Sequence, residues 1–136
     1  MVQSSPPLIA CLNSSQDLVE LLGDVLEYGG FRTASLATTH REGAQPAIDF
    51  LRRVRPQACV YAVSVPYRES WAVYQEVQQA IAGCAWVLTT TNKRALTDLV
   101  GQTAAFEIMG KPYDIDQLVA VVRHALDMPV DEPGRN

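Results

Sequence analysis

Residues 57–66, QACVYAVSVP, constrain the fold more than any other stretch of the chain. Cys59, Val60, Tyr61, Ala62, Val63 and Val65 form a nearly unbroken apolar run, too short for a globular helix and rich in β-branched side chains. Pro66 closes the run, because proline cannot donate to a strand ladder. Such a pattern reads as a strand buried on both faces of a parallel sheet. Ligands of an open parallel sheet sit outside the carboxyl ends of its strands, so chemistry is expected around residues 62–64. Those positions hold Ala62, Val63 and Ser64. The expectation is an active-site position without an acid to fill it.

Shorter apolar runs flank this one. Residues 8–12 (LIACL), 31–36 (FRTASL), 85–89 (AWVLT) and 106–109 (FEIM) read as strands, the second more polar and so assigned to a sheet edge. Helical spacing recurs between them. A serine of the Asn13-Ser14-Ser15 run caps a helix starting near Gln16, with Leu18, Leu21, Leu22, Val25 and Leu26 as its apolar stripe. Gly29-Gly30 supplies a left-handed stop. Residues 37–45 read as a turn, and Pro46 suits the first turn of a second helix that buries Ile48, Leu51 and Val54 and leaves Arg52, Arg53 and Arg55 in solvent.

A third helix is expected from Glu69 or Ser70, with Trp71, Val73, Tyr74, Val77 and Ile81 inward and Gly83 at its end. A fourth, over residues 93–101, turns Leu96, Leu99 and Val100 inward. The fifth is capped by Asp114 and runs to about Met128, burying Ile115, Leu118, Val119, Val122 and Leu126. Repeated alternation of strand and helix implies right-handed crossovers, a parallel sheet and helices on both faces. The fold class expected is therefore α/β, a three-layer α/β/α sandwich.

A chain of 136 residues is read as one domain over residues 8–128, between a loose leader (1–7) and a disordered tail (129–136). A net charge of −4 argues against a general nucleic-acid binder. The opening MVQSSPP lacks a basic start, and the first apolar run is too short for a signal peptide or a membrane span, so a cytoplasmic location is expected. Cys11, Cys59 and Cys84 are odd in number and show no CxxC spacing, so they read as small buried hydrophobes. His40 and His124 fall in no catalytic pattern, and the chain has no P-loop, GxGxxG or G-x-S-x-G motif.

The order of elements over residues 8–128, with Thr89 ending the fourth strand and the GKPYD run around Lys111 and Pro112, resembles the receiver domain of bacterial two-component response regulators. The resemblance implies a flavodoxin-like, five-stranded parallel sheet of order 2-1-3-4-5 with five helices. In that family an aspartate ending the third strand takes a phosphoryl group from a histidine kinase. Two acids after the first strand hold Mg²⁺, and a threonine or serine and a Lys-Pro pair complete the pocket. Position by position, the acidic pair falls on Asn13 and Ser14. The phosphoacceptor falls on Ala62, four residues before Pro66; the threonine falls on Thr89, and the lysine on Lys111 before Pro112. The aromatic switch position falls on Ile108.

A methyl group offers no nucleophile for an aspartyl phosphate, and Mg²⁺ is held through carboxylates and phosphate oxygens. Phosphoryl transfer is mostly positioning and charge neutralisation, so neither catalysis, nor a metal, nor a cofactor is expected. Ser64 is a nearby hydroxyl with no base placed to activate it. The resemblance then implies a receiver-like signalling module that binds a protein partner through the face of the fourth helix, fifth strand and fifth helix. On that face stand Arg94, Asp98, Asp116, Gln117, Arg123 and Asp127, and a homodimer would use it too. Neither nucleic acid nor membrane is expected as a direct partner. Two alternatives stay open. One is a small-anion or ligand sensor built on Lys111 and Thr89, unless Asp17 pairs with Lys111 instead. The other is an enzyme of another flavodoxin-like family.

Overall fold

Parallel pairing of the apolar runs sets the architecture, which a computed structural model describes over residues 6–100, 106–110 and 115–127. The elements are β1 (Leu8–Asn13), α1 (Gln16–Tyr28), β2 (Arg32–Ala37), α2 (Gln45–Val54) and β3 (Ala58–Ala62). They continue as α3 (Tyr67–Ala80), β4 (Ala85–Thr90), α4 (Lys93–Val100), β5 (Phe106–Gly110) and α5 (Ile115–Asp127). The strands pair in the order β2-β1-β3-β4-β5, every pair parallel. The chain is thus a flavodoxin-like α/β sandwich with a parallel sheet and five helices. β3, the run that constrains the fold, takes the central place.

Strand alternation sends successive side chains to opposite faces. On one face Ala10, Leu12, Cys59, Tyr61, Trp86 and Leu88 pack with α2, α3 and Leu96 of α4. On the other, Ile9, Cys11, Ala58, Val60, Ala85 and Val87 pack with α1 and α5. β2 is the polar edge strand, and none of its residues is fully buried.

Local chemistry explains the boundaries. Ser15 caps α1, its Oγ accepting from the Leu18 N–H at 3.3 Å. α1 ends at Gly29, and the left-handed residue is Gly30, at φ 97°. Asn92 caps α4 by accepting from the Ala95 N–H at 3.0 Å. The carbonyls of Pro6 and Pro7 both accept from Arg32, so this end of the leader is tied to β2.

Three expectations need correction. The buried stripe of α1 is Val19, Leu22, Gly23 and Leu26, while Leu18 and Leu21 are 38% and 56% exposed. This side of α1 lies against β2, where a Cβ at the buried Gly23 would stand 3.4 Å from Thr33 Oγ1 and 3.5 Å from Ser35 Oγ. Second, β3 stops at Ala62. Val63 stays buried, donating its N–H to the Thr89 carbonyl at 2.8 Å, but Val65 is 70% exposed beside a cis bond to Pro66, and α3 starts early, at Tyr67. Third, residues 37–45 are more than a turn. His40–Glu42 form one 3₁₀ turn, closed by Gly43 at φ 76°.

Candidate functional site

Register and alternation bring three of the six expected pocket residues into one row. Ala62 pairs with Thr89 across β3 and β4, and Leu12 pairs with Tyr61 across β1 and β3, which puts Asn13 next to Ala62. All three stand two residues after ones that face α1 and α5 (Cys11, Val60 and Val87), so by alternation they end the sheet side by side on that face. Ser14 follows as an exposed loop residue. Lys111 and Pro112 lie outside the described residues, as do Asp114 and the tail.

The row is polar, buried and incompletely bonded. Asn13 is 6% exposed; its Oδ1 accepts from the Ser15 N–H at 3.1 Å, and its Nδ2 has no acceptor among the described residues. Thr89 is fully buried, and its Oγ1 likewise has no partner among the described residues. An uncompensated buried polar group costs about 1–3 kcal/mol. Both lie where chemistry was expected, not in the middle of the core.

A cavity of about 400 Å³ opens over the ends of β1 and β3. Asn13, Ser14 and Ala62 form its inner wall, Ser64 and Ser70 belong to the α3 side, and His40 and Arg41 come from the 3₁₀ turn. Thr89 does not line it. Loop bonds set this arrangement. The Thr38 N–H donates to the Asn13 carbonyl at 2.9 Å, pinning the turn to the end of β1, and Thr38 Oγ1 donates to Glu42 Oε1 at 2.6 Å. The Ser64 N–H donates to Ser70 Oγ at 3.3 Å.

No sequence motif singles out His40 or Arg41. Their signal was topological: in a parallel sheet every strand-to-helix loop gathers at the same end, so the Thr-Thr-His-Arg run after β2 had to join Asn13 and Ala62.

Mg²⁺ does not fit this donor set. Asn13 leaves a buried nitrogen donor where an oxygen ligand would be needed, Ala62 adds a methyl, and Ser14 only a hydroxyl. Among the described residues no three His, Cys, Asp or Glu side chains come together as a cation site.

The thiols are all free and buried. Burial pushes Cys11 and Cys84 up to about 12, and it raises Cys59, flanked electrostatically by Cys84 and Cys11, well above the usual thiol range. A thiol held protonated is a poor nucleophile. Tyr61 and Tyr74 are raised above the usual phenol range, again by burial first.

The residues expected on a partner face divide. Arg94 and Asp98 are exposed on α4; Asp116, Gln117 and Asp127 are exposed on α5. Arg123 turns toward α1: it donates to the Gly29 carbonyl at 2.8 Å, and its guanidinium carbon lies 5.8 Å from the centroid of the Phe31 ring. Its position on α5 is six residues from Gln117, which is most of the way round to the opposite flank. The side chain of Ile108 is outside the described set.

No family model matches the sequence, and neither does any curated protein. Solved structures do resemble it. The PhyR response regulator REC domain of Erythrobacter litoralis superposes with a TM-score of 0.73 at 14% identity, covering 97% of this chain and 98% of that one. A sensor protein from Polaromonas sp. JS666 gives 0.73 at 21% identity, over 89% of this chain and 96% of that one. The chemotaxis protein CheY4 of Vibrio cholerae gives 0.68 at 15% identity, over 88% and 98%. At these identities the likeness is one of fold: the chain has the architecture of response-regulator receiver domains.

Proposed function

We propose that this chain is a receiver-like signalling module that acts by binding a protein partner and takes no phosphoryl group at the end of β3. The observation that carries the reading is the row formed by Asn13, Ala62 and Thr89, which occupies the strand ends without a carboxylate. A phosphoryl group needs an attacking oxygen and a cation to gather its charge. The row offers an amide, a methyl and a hydroxyl instead. Signalling then runs through the partner, by way of exposed positions on α4 and α5: Arg94, Asp98, Asp116, Gln117 and Asp127. Lys111 and Pro112 complete the pocket in this reading.

Incubation with radiolabelled acetyl phosphate and Mg²⁺ tests it directly. The expected result is an unlabelled protein whose melting temperature does not respond to millimolar Mg²⁺, since a ligand held only by the folded state must raise it. A covalent label, on Ser64 or anywhere in the strand-end row, would sink the reading. The partner face is tested by capture from lysate with the intact domain and with Asp116→Lys/Asp127→Lys. A bound protein released by the charge reversal supports the face; capture unchanged by it moves the partner elsewhere.

A further inference from the structure

β2 closes one side of the sheet, and its outer edge is open. The N–H groups of Arg32 and Thr38 donate to the carbonyls of Pro7 and Asn13, each at 2.9 Å, and β1 and β2 pair residue for residue between them. Backbone groups alternate along a strand, so Ala34 and Leu36 also point at β1. Thr33, Ser35 and Ala37 therefore turn their N–H and C=O groups outward, where no strand among the described residues meets them. Natural edges are blunted by lysine, proline or a bulge. Residues 32–37 contain no lysine and no proline, and their register shows no bulge. Arg32, the one charged residue, stands at the start of the strand with its Nε on the Pro6 carbonyl.

The two flanks of this edge differ. Thr33 Oγ1 donates to Glu27 Oε2 at 2.8 Å and Ser35 Oγ to the Val19 carbonyl at 3.4 Å, so these side chains lie under α1. A Cβ at Gly23 would meet the same two side chains, and Glu20 and Glu27, three residues before it and four after, share that flank of the helix. Both acids are exposed, and α1 carries no basic residue. On the α2 side the flank is apolar: Ala34 and Leu36 pack against the aromatic core and are only partly buried.

We propose that the open edge of β2 takes up an extended segment of a partner protein as an added strand, one that alternates lysine or arginine with apolar residues. Main-chain hydrogen bonds to Thr33, Ser35 and Ala37 supply the attachment, and side chains of alternating kind supply the choice of partner. Basic side chains of the segment fall on the α1 side, beside Glu20 and Glu27. Apolar ones fall on the α2 side, beside Ala34 and Leu36. The charge pattern selects against a second copy of this chain. Two copies paired antiparallel through β2 are related by an axis normal to the sheet, which leaves both α1 helices on one face and sets their acidic flanks against each other. This edge is the far side of the sheet from β5, so the attachment is independent of the partner face on α4 and α5, and either can fail alone.

Fluorescence anisotropy of the full chain with two fluorescein-labelled heptapeptides, one alternating valine with lysine and one alternating valine with glutamate, tests the edge. The expected result is saturable binding of the lysine peptide, weakened by salt, and none of the glutamate peptide. Methylating the backbone nitrogens of its valines, or those of its lysines, leaves the charge of the peptide alone. The set that faces β2 should abolish binding and the other should not. Ser35→Pro removes one outward N–H at a position where an edge strand tolerates proline. That variant should keep its circular dichroism and bind the lysine peptide about tenfold more weakly. Glu20→Lys/Glu27→Lys, at exposed positions, should exchange the preference so that the glutamate peptide binds instead, which keeps the test decisive if Ser35→Pro does not fold. No saturable binding of the lysine peptide up to about 1 mM, binding that survives either set of methyl groups, or a preference unmoved by the charge reversal overturns the proposal. Dimerisation of the free chain that Ser35→Pro abolishes, read by sedimentation, would also overturn it and give the edge to a second copy.

Discussion

The two faces of the sheet are filled with different materials. Over α2 and α3 the core is aromatic. Tyr74 is fully buried, with ring centroids 5.1 Å from Tyr61, 5.4 Å from Trp86 and 5.0 Å from Trp71, and Cys59 and Cys84 belong to the same cluster. Over α1 and α5 the strands and helices meet through aliphatic side chains, with Phe31 at the margin and one thiol, Cys11. Large rings gain from edge-to-face geometry and interlock, so one side chain anchors several others. Aliphatic packing spreads its contribution and depends on how closely the backbones approach. The aromatic face should therefore fail at single residues, and the aliphatic face at points of close approach.

The largest effect is expected from Tyr74→Ala, which removes the ring shared by all three contacts. Truncation of a fully buried aromatic costs about 3–5 kcal/mol, read from chemical denaturation. A loss under 2 kcal/mol would mean that the neighbouring rings collapse into the space, and that the face is no more anchored than its opposite.

Alkaline pH separates the faces next. The folded state holds protons on Cys11, Cys59 and Cys84 that the unfolded chain releases near pH 9, so stability is complete below that value and falls as pH rises toward about 12. Each such group costs about 1.4 kcal/mol per pH unit within that window. The raised phenols of Tyr61 and Tyr74 join only above their own ordinary value of 10.0. Stability at pH 10 should fall about 3–4 kcal/mol below that at pH 8. Cys59→Ala/Cys84→Ala should remove roughly twice as much of the slope as Cys11→Ala. Equal slopes in all three proteins would show that the thiols are not sealed as the two cores place them.

Much of this contrast could be read in advance, and the failures have physical causes. β3 was legible because a strand buried on both faces leaves no polar residue to blur its pattern, and α5 because its stripe is narrow. On α1 two overlapping stripes satisfy the same period: Leu18, Leu21 and Val25 lie one residue from Leu22, Leu26 and Val19. Hydrophobicity cannot choose between them. The choice is made by the packing of α1 on β2, which brings Gly23 against Thr33 and Ser35. In the strand-end row Ala62 is placed by its spacing from Pro66, and Asn13 and Thr89 by the resemblance to receiver domains, neither of which needs side-chain geometry. His40 and Arg41 were passed over because a single 3₁₀ turn leaves no periodic trace, and their neighbourhood is made by tertiary contact alone.

At its upper edge the aliphatic face ends in the polar row, where restored acids give an intermediate effect. Asn13→Asp with Ala62→Asp sets two carboxylates on neighbouring strands, repelling by about 1–4 kcal/mol according to the local dielectric. The melting temperature should fall without Mg²⁺ and recover at least in part with it, because the pair supplies the oxygens that the natural row lacks. An unchanged melting temperature in the absence of metal would place the two side chains too far apart to interact.

The smallest effect tests close approach on the aliphatic face, and two adjacent glycines separate its causes. Gly29 has an ordinary backbone at φ −78°, but a Cβ there would stand 2.9 Å from Val119 Cγ2 and 3.1 Å from its Cγ1. Gly30 has open space around it and φ 97°. Gly29→Ala should therefore cost about 1–3 kcal/mol through overpacking against a β-branched side chain that cannot rotate away. Gly30→Ala should cost about 1–2 kcal/mol through backbone conformation. Val119→Ala distinguishes them, since it opens the space that Gly29→Ala needs and does nothing for the φ of residue 30. In a double-mutant cycle the pair at positions 29 and 119 should couple by about 0.5–3 kcal/mol and the pair at 30 and 119 by almost nothing. Equal coupling in both cycles would show that α1 and α5 shift as a unit, and that this face is as tightly interlocked as the aromatic one.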